Sequence, residues 1–132
     1  MLEENKIVDQ AQQVMGNLSQ KGHMVTTSQI RKFLTAVNTV TEKVNAYKLE
    51  KTDDYDTLPV ELQAQIKYLK VKLAYQIGRN RSKWGNPVED FEREAKLMNL
   101  IDSIKNSTKE YEKFAHYMEA LVAFHKFYGG KD

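Results

Sequence analysis

The sequence has no cysteine, and only two prolines and six glycines among its 132 residues. The missing cysteine excludes disulfide frameworks, thiol nucleophiles and cysteine-based zinc sites. The few prolines and glycines leave long stretches free to be helical, because these residues interrupt a helix most strongly. Apolar runs are short, far below the roughly 18–20 residues that would span a bilayer. The N-terminus is acidic where a secretory signal is basic, so we expect a soluble cytoplasmic protein without a membrane partner.

Apolar residues recur every three or four positions, which predicts helices, and no useful stretch alternates with the period of a strand. A first helix is predicted over about residues 4–18, and it could lie at the periphery of the bundle. A second helix follows Thr26, whose pairing with Gln29 is typical of a capping box. A third is expected from Pro59 to about Lys83, roughly 37 Å long at 1.5 Å per residue.

The last third of the chain predicts two more helices. Asn86 is a suitable cap for the fourth, with Pro87 in its first turn. Ser107 and Glu110 have the spacing of a second capping box, and the fifth helix is expected to end at Gly129. The sequence therefore predicts an all-α fold, a compact bundle of about five helices in a single domain over residues 1–132.

Positive charge is concentrated in the third predicted helix and the residues after it. Residues 59–85 have a net charge of +5, with Glu61 as their single acid, whereas residues 1–58 have −1 and residues 86–132 have −2. Asymmetry of this kind indicates a polyanionic partner more than the total charge of +2 does.

A helical wheel divides the third helix into a buried sector and two basic edges. The predicted core contacts are Leu62, Ile66, Leu69, Leu73, Ile77 and Trp84. One edge of this sector carries Lys72, Gln76, Arg79 and Lys83, and the other carries Lys67, Lys70 and Arg81. Tyr68 and Tyr75 lie beside the Lys72 edge and are expected to face outward.

Several cations in register, with aromatic neighbours, are what a phosphate backbone requires. Arg79 could hold a phosphate with two parallel N–H bonds, while Lys72 would act as a point charge. Tyr68 and Tyr75 could stack on bases, although packing between subunits is the other interpretation. A basic edge is also what a merely solvated amphipathic helix presents, so this alternative stays open.

The sequence offers little for catalysis or for a metal. No two of His23, His116 and His125 have ligand spacing, and His125 falls within the apolar face of the fifth helix. We therefore expect His125 to be a core or interface residue with a hydrogen-bond partner. The acidic residues 53–56 lack the glycine turn and closing glutamate of a calcium loop, which favours a solvated connector. We expect no catalytic residue, no metal and no cofactor.

Three stretches together are distinctive: TTSQIRKFL at residues 26–34, YLKVKLAYQIGR at residues 68–79, and YMEALVAFHKFYGGKD at residues 117–132. In them the chain resembles the small subunit of the type III-A (Csm) CRISPR effector complex. The resemblance covers roughly residues 25–132, and its last stretch is the most specific part.

This resemblance implies a non-catalytic helical subunit that stacks in several copies along a ribonucleoprotein filament used in antiviral defence. The implied partners are the guide RNA, the target RNA, the backbone subunits and the large subunit. RNA would be contacted through its backbone, without sequence specificity. Carried onto this sequence, the RNA-contacting candidates are Arg31, Lys32, Lys70, Lys72 and Arg79. Arg81 and Lys83 lie outside the matching stretches and rest on the helical wheel alone.

Two other hypotheses remain for comparison. The first is a helical scaffold whose basic ridge binds an acidic protein surface and never touches RNA. The second is a metal-dependent nuclease that uses the acidic residues 53–56, which would require divalent-dependent RNA cleavage abolished by Asp54→Ala.

Overall fold

The computed structural model describes residues 2–22, 24–51 and 54–131. These residues form a short 3-10 turn at Glu4–Lys6 and six α-helices, and within them the all-α prediction is confirmed. The helices are α1 (Ile7–Gln20), α2 (Thr27–Glu50), α3 (Val60–Arg79), α4 (Pro87–Ala95), α5 (Leu97–Ile104) and α6 (Thr108–Phe127). The prediction of about five helices is wrong by one, because the fourth predicted helix is divided into α4 and α5.

The division occurs at Lys96, which has left-handed backbone angles of φ 59° and ψ 40°. Such a conformation is unfavourable for a lysine by roughly 1–2 kcal/mol. Polar groups freed by the break find partners: the Met98 N–H donates to Glu92 Oε2 at 3.3 Å, and the Tyr117 hydroxyl donates to the Ala95 carbonyl at 3.1 Å. The apolar stripe continues across the break, so the hydrophobic period alone could not locate it.

The core lies between two helix pairs, α1 with α6 and α2 with α3, with α4 and α5 packed across them. Its largest fully buried side chains include Tyr111, Phe33, Phe91 and Phe114. The Tyr111 hydroxyl donates to the Val37 carbonyl at 3.1 Å, and its oxygen lies 2.7 Å from Thr41 Oγ1. Burial raises the pKa of Tyr111 to about 12, so the hydroxyl stays protonated and keeps this bond.

The predicted caps Thr26, Asn86 and Ser107 all start their helices as expected. Thr26 and Gln29 form the reciprocal capping box of α2, and Asn86 Oδ1 accepts from the Glu89 N–H at 3.1 Å at the start of α4. At α6 only half of the predicted box forms. Ser107 Oγ accepts from the Glu110 N–H, while the Glu110 carboxylate pairs with Lys113 at 3.0 Å.

The C-terminal segment folds back over a buried histidine. His125 is 2% exposed and its Nε2 lies 2.7 Å from the Val25 carbonyl, which confirms the expected core histidine with a partner. The Gly130 N–H donates to the His125 carbonyl at 2.7 Å, and the Thr27 N–H donates to the Lys131 carbonyl at 3.0 Å. A Cβ at Gly130 would lie only 2.3–2.5 Å from three atoms of the His125 ring.

An ion pair connects α3 to α5. Lys70 Nζ lies 2.8 and 3.0 Å from the two carboxylate oxygens of Asp102. The hydrogen bond from Lys70 holds the pKa of Asp102 below its usual value. Because the folded-state pKa is lowered, the contribution of this pair to stability is present above the unfolded pKa and is lost as pH falls through the folded value.

The close approach at Gly130 predicts that Gly130→Ala destabilises the protein by about 1–3 kcal/mol, as overpacking of a filled site does. Urea denaturation would measure this change. Gly78→Ala is the matched control, because a Cβ at Gly78 meets no atom within 4 Å and alanine favours a helix more than glycine does. Equal stability of Gly130→Ala and the wild type would contradict the close packing of the tail on His125.

The ion pair predicts that Lys70→Gln raises the pKa of the Asp102 carboxyl toward its usual value, because the hydrogen bond that lowers this pKa is removed. Carboxyl 13C chemical shifts followed through an acid titration would measure the pKa in both proteins. Lys109→Gln, at an exposed lysine on α6, is the control and should leave the Asp102 titration unchanged. An Asp102 pKa equal in wild type and Lys70→Gln would contradict the ion pair between Lys70 and Asp102.

Candidate nucleic-acid interface

An open groove of about 980 Å³ runs between α2 and α3. None of the described residues that line it is acidic. Its floor is largely apolar and its rim is polar or basic. The lining residues are Arg31, Lys32, Thr35, Ala36, Thr39, Val40, Ala64, Gln65, Tyr68, Leu69, Val71, Lys72, Tyr75 and Gln76.

The groove has its position because α2 and α3 are antiparallel neighbours that bury complementary stripes. On α2 the buried residues Phe33, Val37 and Val40 face the core. On α3 the buried residues Leu69 and Leu73 do the same. The side chains next to these stripes are therefore left at the seam between the two helices, where they form the walls of the groove.

Three sequence-predicted cations meet in this groove. Arg31 and Lys32 are exposed near the start of α2, and Lys72 is exposed near the middle of α3. Within residues 2–22, 24–51 and 54–131, none of these three forms an ion pair with an acidic side chain. Their charge is therefore available to an anion from outside the chain.

Two exposed tyrosines border the same groove, as the helical wheel predicted. Tyr68 is 56% exposed and Tyr75 is 62% exposed. Lys72 Nζ lies 5.7 Å from the centroid of the Tyr68 ring, which is the geometry of a cation–π contact. Gln76, expected on the same edge as Lys72, is instead buried at 4% exposure and lines the groove.

Lys70 does not join this cluster. Its ammonium is held by Asp102 on the side of α3 that faces α5, away from the groove. Periodicity placed Lys70 correctly on the other edge of the helix, but it could not show the carboxylate 32 residues later that pairs with it.

The end of α3 differs from the sequence prediction. The helix stops at Arg79, and not near Lys83, because Asn80 Nδ2 donates to the Gln76 carbonyl at 2.7 Å and caps the last turn. Arg81 and Lys83 consequently lie in an exposed turn beyond the helix. Trp84, predicted to face the core, is 78% exposed. That prediction is wrong because the helical angle applies only while the helix continues.

Other chemistry finds little support in the described part of the chain. No group of three or more histidine or acidic side chains is placed to hold a metal ion among residues 2–22, 24–51 and 54–131. Asp53 of the acidic connector, like His23 and Asp132, lies outside the described residues. None of the helices that the structure describes is both long and apolar enough to cross a bilayer.

Comparison with known proteins supports the resemblance inferred from sequence and extends it to the first helix, beyond the expected residues 25–132. The family described as Csm2 Type III-A matches residues 2–131. The CRISPR system Cms protein Csm2 of Streptococcus thermophilus is 33% identical over 135 aligned positions, covering 100% of this chain and 98% of the relative. The protein of that name from Mycobacterium tuberculosis (strain ATCC 25618 / H37Rv) is 32% identical over 126 positions, covering 95% and 93%.

A third relative, the protein of that name from Enterococcus italicus, is 33% identical over 129 positions, covering 93% of this chain and 84% of the relative. Both the family match and these identities extend over nearly the whole chain. The resemblance inferred from residues 26–34, 68–79 and 117–132 is thereby confirmed. This chain belongs to the Csm2 family, the small subunit of the type III-A CRISPR complex.

Proposed function

We propose that this protein is a non-catalytic, RNA-binding subunit of a type III-A CRISPR effector complex, contacting the guide and target RNA through their phosphate backbone. The observation that supports this most is the groove between α2 and α3, which has unpaired cations on both walls and no acidic residue among those that line it. Such a surface gains affinity by releasing counterions from a nucleic acid, whatever its sequence. Sequence specificity would then come from base pairing with the guide.

Each wall of the groove has a distinct part in this proposal. Arg31 can donate two parallel N–H bonds to one phosphate, which fixes the orientation of the backbone as well as its position. Lys32 and Lys72 act as point charges on opposite walls. Tyr68 and Tyr75 stand at the rim, where they either stack on bases or pack against another subunit. Among the described residues that line the groove there is neither a carboxylate nor a histidine.

The proposal also includes the assembly around the RNA. The relatives' names tie them to a CRISPR system, and a small subunit of that system acts with others. We propose the backbone and large subunits as neighbours, and further copies of this chain stacked along the RNA in antiviral defence. The exposed Arg79 would extend the basic wall beyond the groove, since it lies seven residues after Lys72 on the same edge of α3.

One observation favours a different function. The residues that line the groove include the apolar Ala36, Val40 and Val71, a surface that the apolar face of a partner helix could cover. In that case the protein would be a scaffold, and the cations would meet acidic residues of a protein partner. The absence of any acid at the rim suits either a phosphate or a carboxylate, so the two functions must be separated by experiment.

We expect the double variant Arg31→Glu/Lys72→Glu to fold normally and to bind RNA at least tenfold more weakly. Fluorescence anisotropy of labelled RNA over a salt series, with the isolated chain and with the assembled complex, would measure both affinity and salt dependence. The slope of log K against log salt should become shallower by about 1.4–1.8, because each lost phosphate contact contributes about 0.7–0.9.

The matched control is Lys67→Glu/Lys109→Glu, which makes the same change in net charge at exposed positions outside the groove. RNA binding with the wild-type slope in the groove variant would refute the proposed RNA contact. If the groove variant also failed to assemble with its partner subunits, the scaffold function would replace the proposed RNA-binding function.

A further inference from the structure

The turn after α3 presents the single tryptophan of the sequence to solvent. Within residues 81–85 the Gly85 N–H donates to the Ser82 carbonyl at 3.2 Å. Ser82 Oγ accepts from the Trp84 N–H at 3.2 Å and donates to the Gly85 carbonyl at 2.9 Å. Gly85 has φ +120°, a conformation that side chains rarely adopt. These bonds close a tight turn with Lys83 and Trp84 at its corner.

Asn86 anchors the turn to the helices on either side of it. Asn86 is 8% exposed, and its Nδ2 donates to the Ile77 carbonyl at 2.8 Å, within the last turn of α3. The Oδ1 of the same residue caps α4 by accepting from Glu89. One amide therefore joins the end of α3 to the start of α4. These bonds fix the backbone on both sides of Trp84, so little ordering of the backbone is needed when a partner binds it.

The surroundings of Trp84 are basic. Lys83 Nζ lies 5.1 Å from the centroid of the Trp84 ring, which places the ammonium over one face of the indole. Arg79 and Arg81 are also exposed, and the sequence has no acidic residue between Glu61 and Glu89. The indole is 78% exposed, so its flat apolar ring is accessible to a stacking partner.

We propose that Trp84 stacks on an unpaired base of the bound RNA, while Arg81 and Lys83 hold the phosphates on either side of that base. Because Lys83 covers one face of the indole, the base would occupy the other. This inference rests on the proposed function and adds to it a contact with a base, separate from the groove. RNA is favoured over a protein partner because a stacking ring preceded in the sequence by the cations Arg81 and Lys83 matches a nucleotide in both its base and its phosphate.

Fluorescence of Trp84 would report directly on the proposed contact, because the sequence contains no other tryptophan. We expect oligouridylate to quench the emission of the full chain saturably, over the concentration range in which anisotropy shows binding. An abasic ribose-phosphate oligomer of equal length should bind the cations without this quenching. RNA that binds by anisotropy but leaves the emission unchanged would overturn the stacking contact and leave the groove proposal intact.

The second measurement uses the effector complex assembled with Trp84 variants. Trp84→Ala should weaken target-RNA binding by about tenfold, the size of a lost base–aromatic stack, and Trp84→Phe should restore most of it. Thermal melting should be equal in all three proteins, because this exposed ring supports no core contact. Wild-type affinity in Trp84→Ala would overturn the proposal. Failure of Trp84→Ala to assemble with its partner subunits, while the isolated variant binds RNA as tightly as the isolated wild type, would also overturn it in favour of a protein contact.

The two proposals fail separately in these experiments. Loss of RNA binding in Trp84→Ala, together with wild-type binding in Arg31→Glu/Lys72→Glu, would refute the groove and support the turn. The reverse pattern would refute the turn and support the groove.

Discussion

The apolar stripe of α3 fixes the rotation of this helix about its axis, and both candidate RNA contacts depend on that rotation. Ile66, Leu69 and Leu73 are each 2% exposed or less, so a turn of the helix would bring polar groups into a dry core. Burying an unpaired charge is unfavourable by several kcal/mol, which leaves α3 essentially one orientation. With that orientation set, Lys72 must face α2 and Lys70 must face α5.

The same constraint explains how much of the fold and of the site could be predicted from sequence. The spacing of apolar residues predicted the buried stripes and the exposed tyrosines correctly. This spacing depends only on the geometry of a single helix. Thr26 and Asn86 could be predicted as caps for a similar reason, because the side-chain oxygen of a cap accepts a hydrogen bond from the N–H three residues later. Predictions of this kind needed no knowledge of which helices are neighbours.

What the sequence could not predict depends on contacts between distant residues or on local breaks in the helix. Lys96 adopts a left-handed conformation although glycine is the usual residue there, so composition gave no sign of the break between α4 and α5. Lys70 is paired by a carboxylate on another helix. Trp84 was assigned to the core by extending the helical wheel five residues past the true end of the helix at Arg79. Asn80, whose side chain caps that end, was the available signal.

The two proposed RNA contacts, in the groove and at the turn, would differ in their physics. Arg31, Lys32 and Lys72 would act through charge, whose effect weakens as salt rises and is indifferent to base identity. An indole acts through dispersion and the exclusion of water from two flat surfaces, which salt affects little. α3 carries Lys72 in its middle and the turn at its end, so a strand of RNA that follows this helix would meet the two elements in succession. A rigid spacing between a charge contact and a stacking contact would set the RNA in one register without any reading of its sequence.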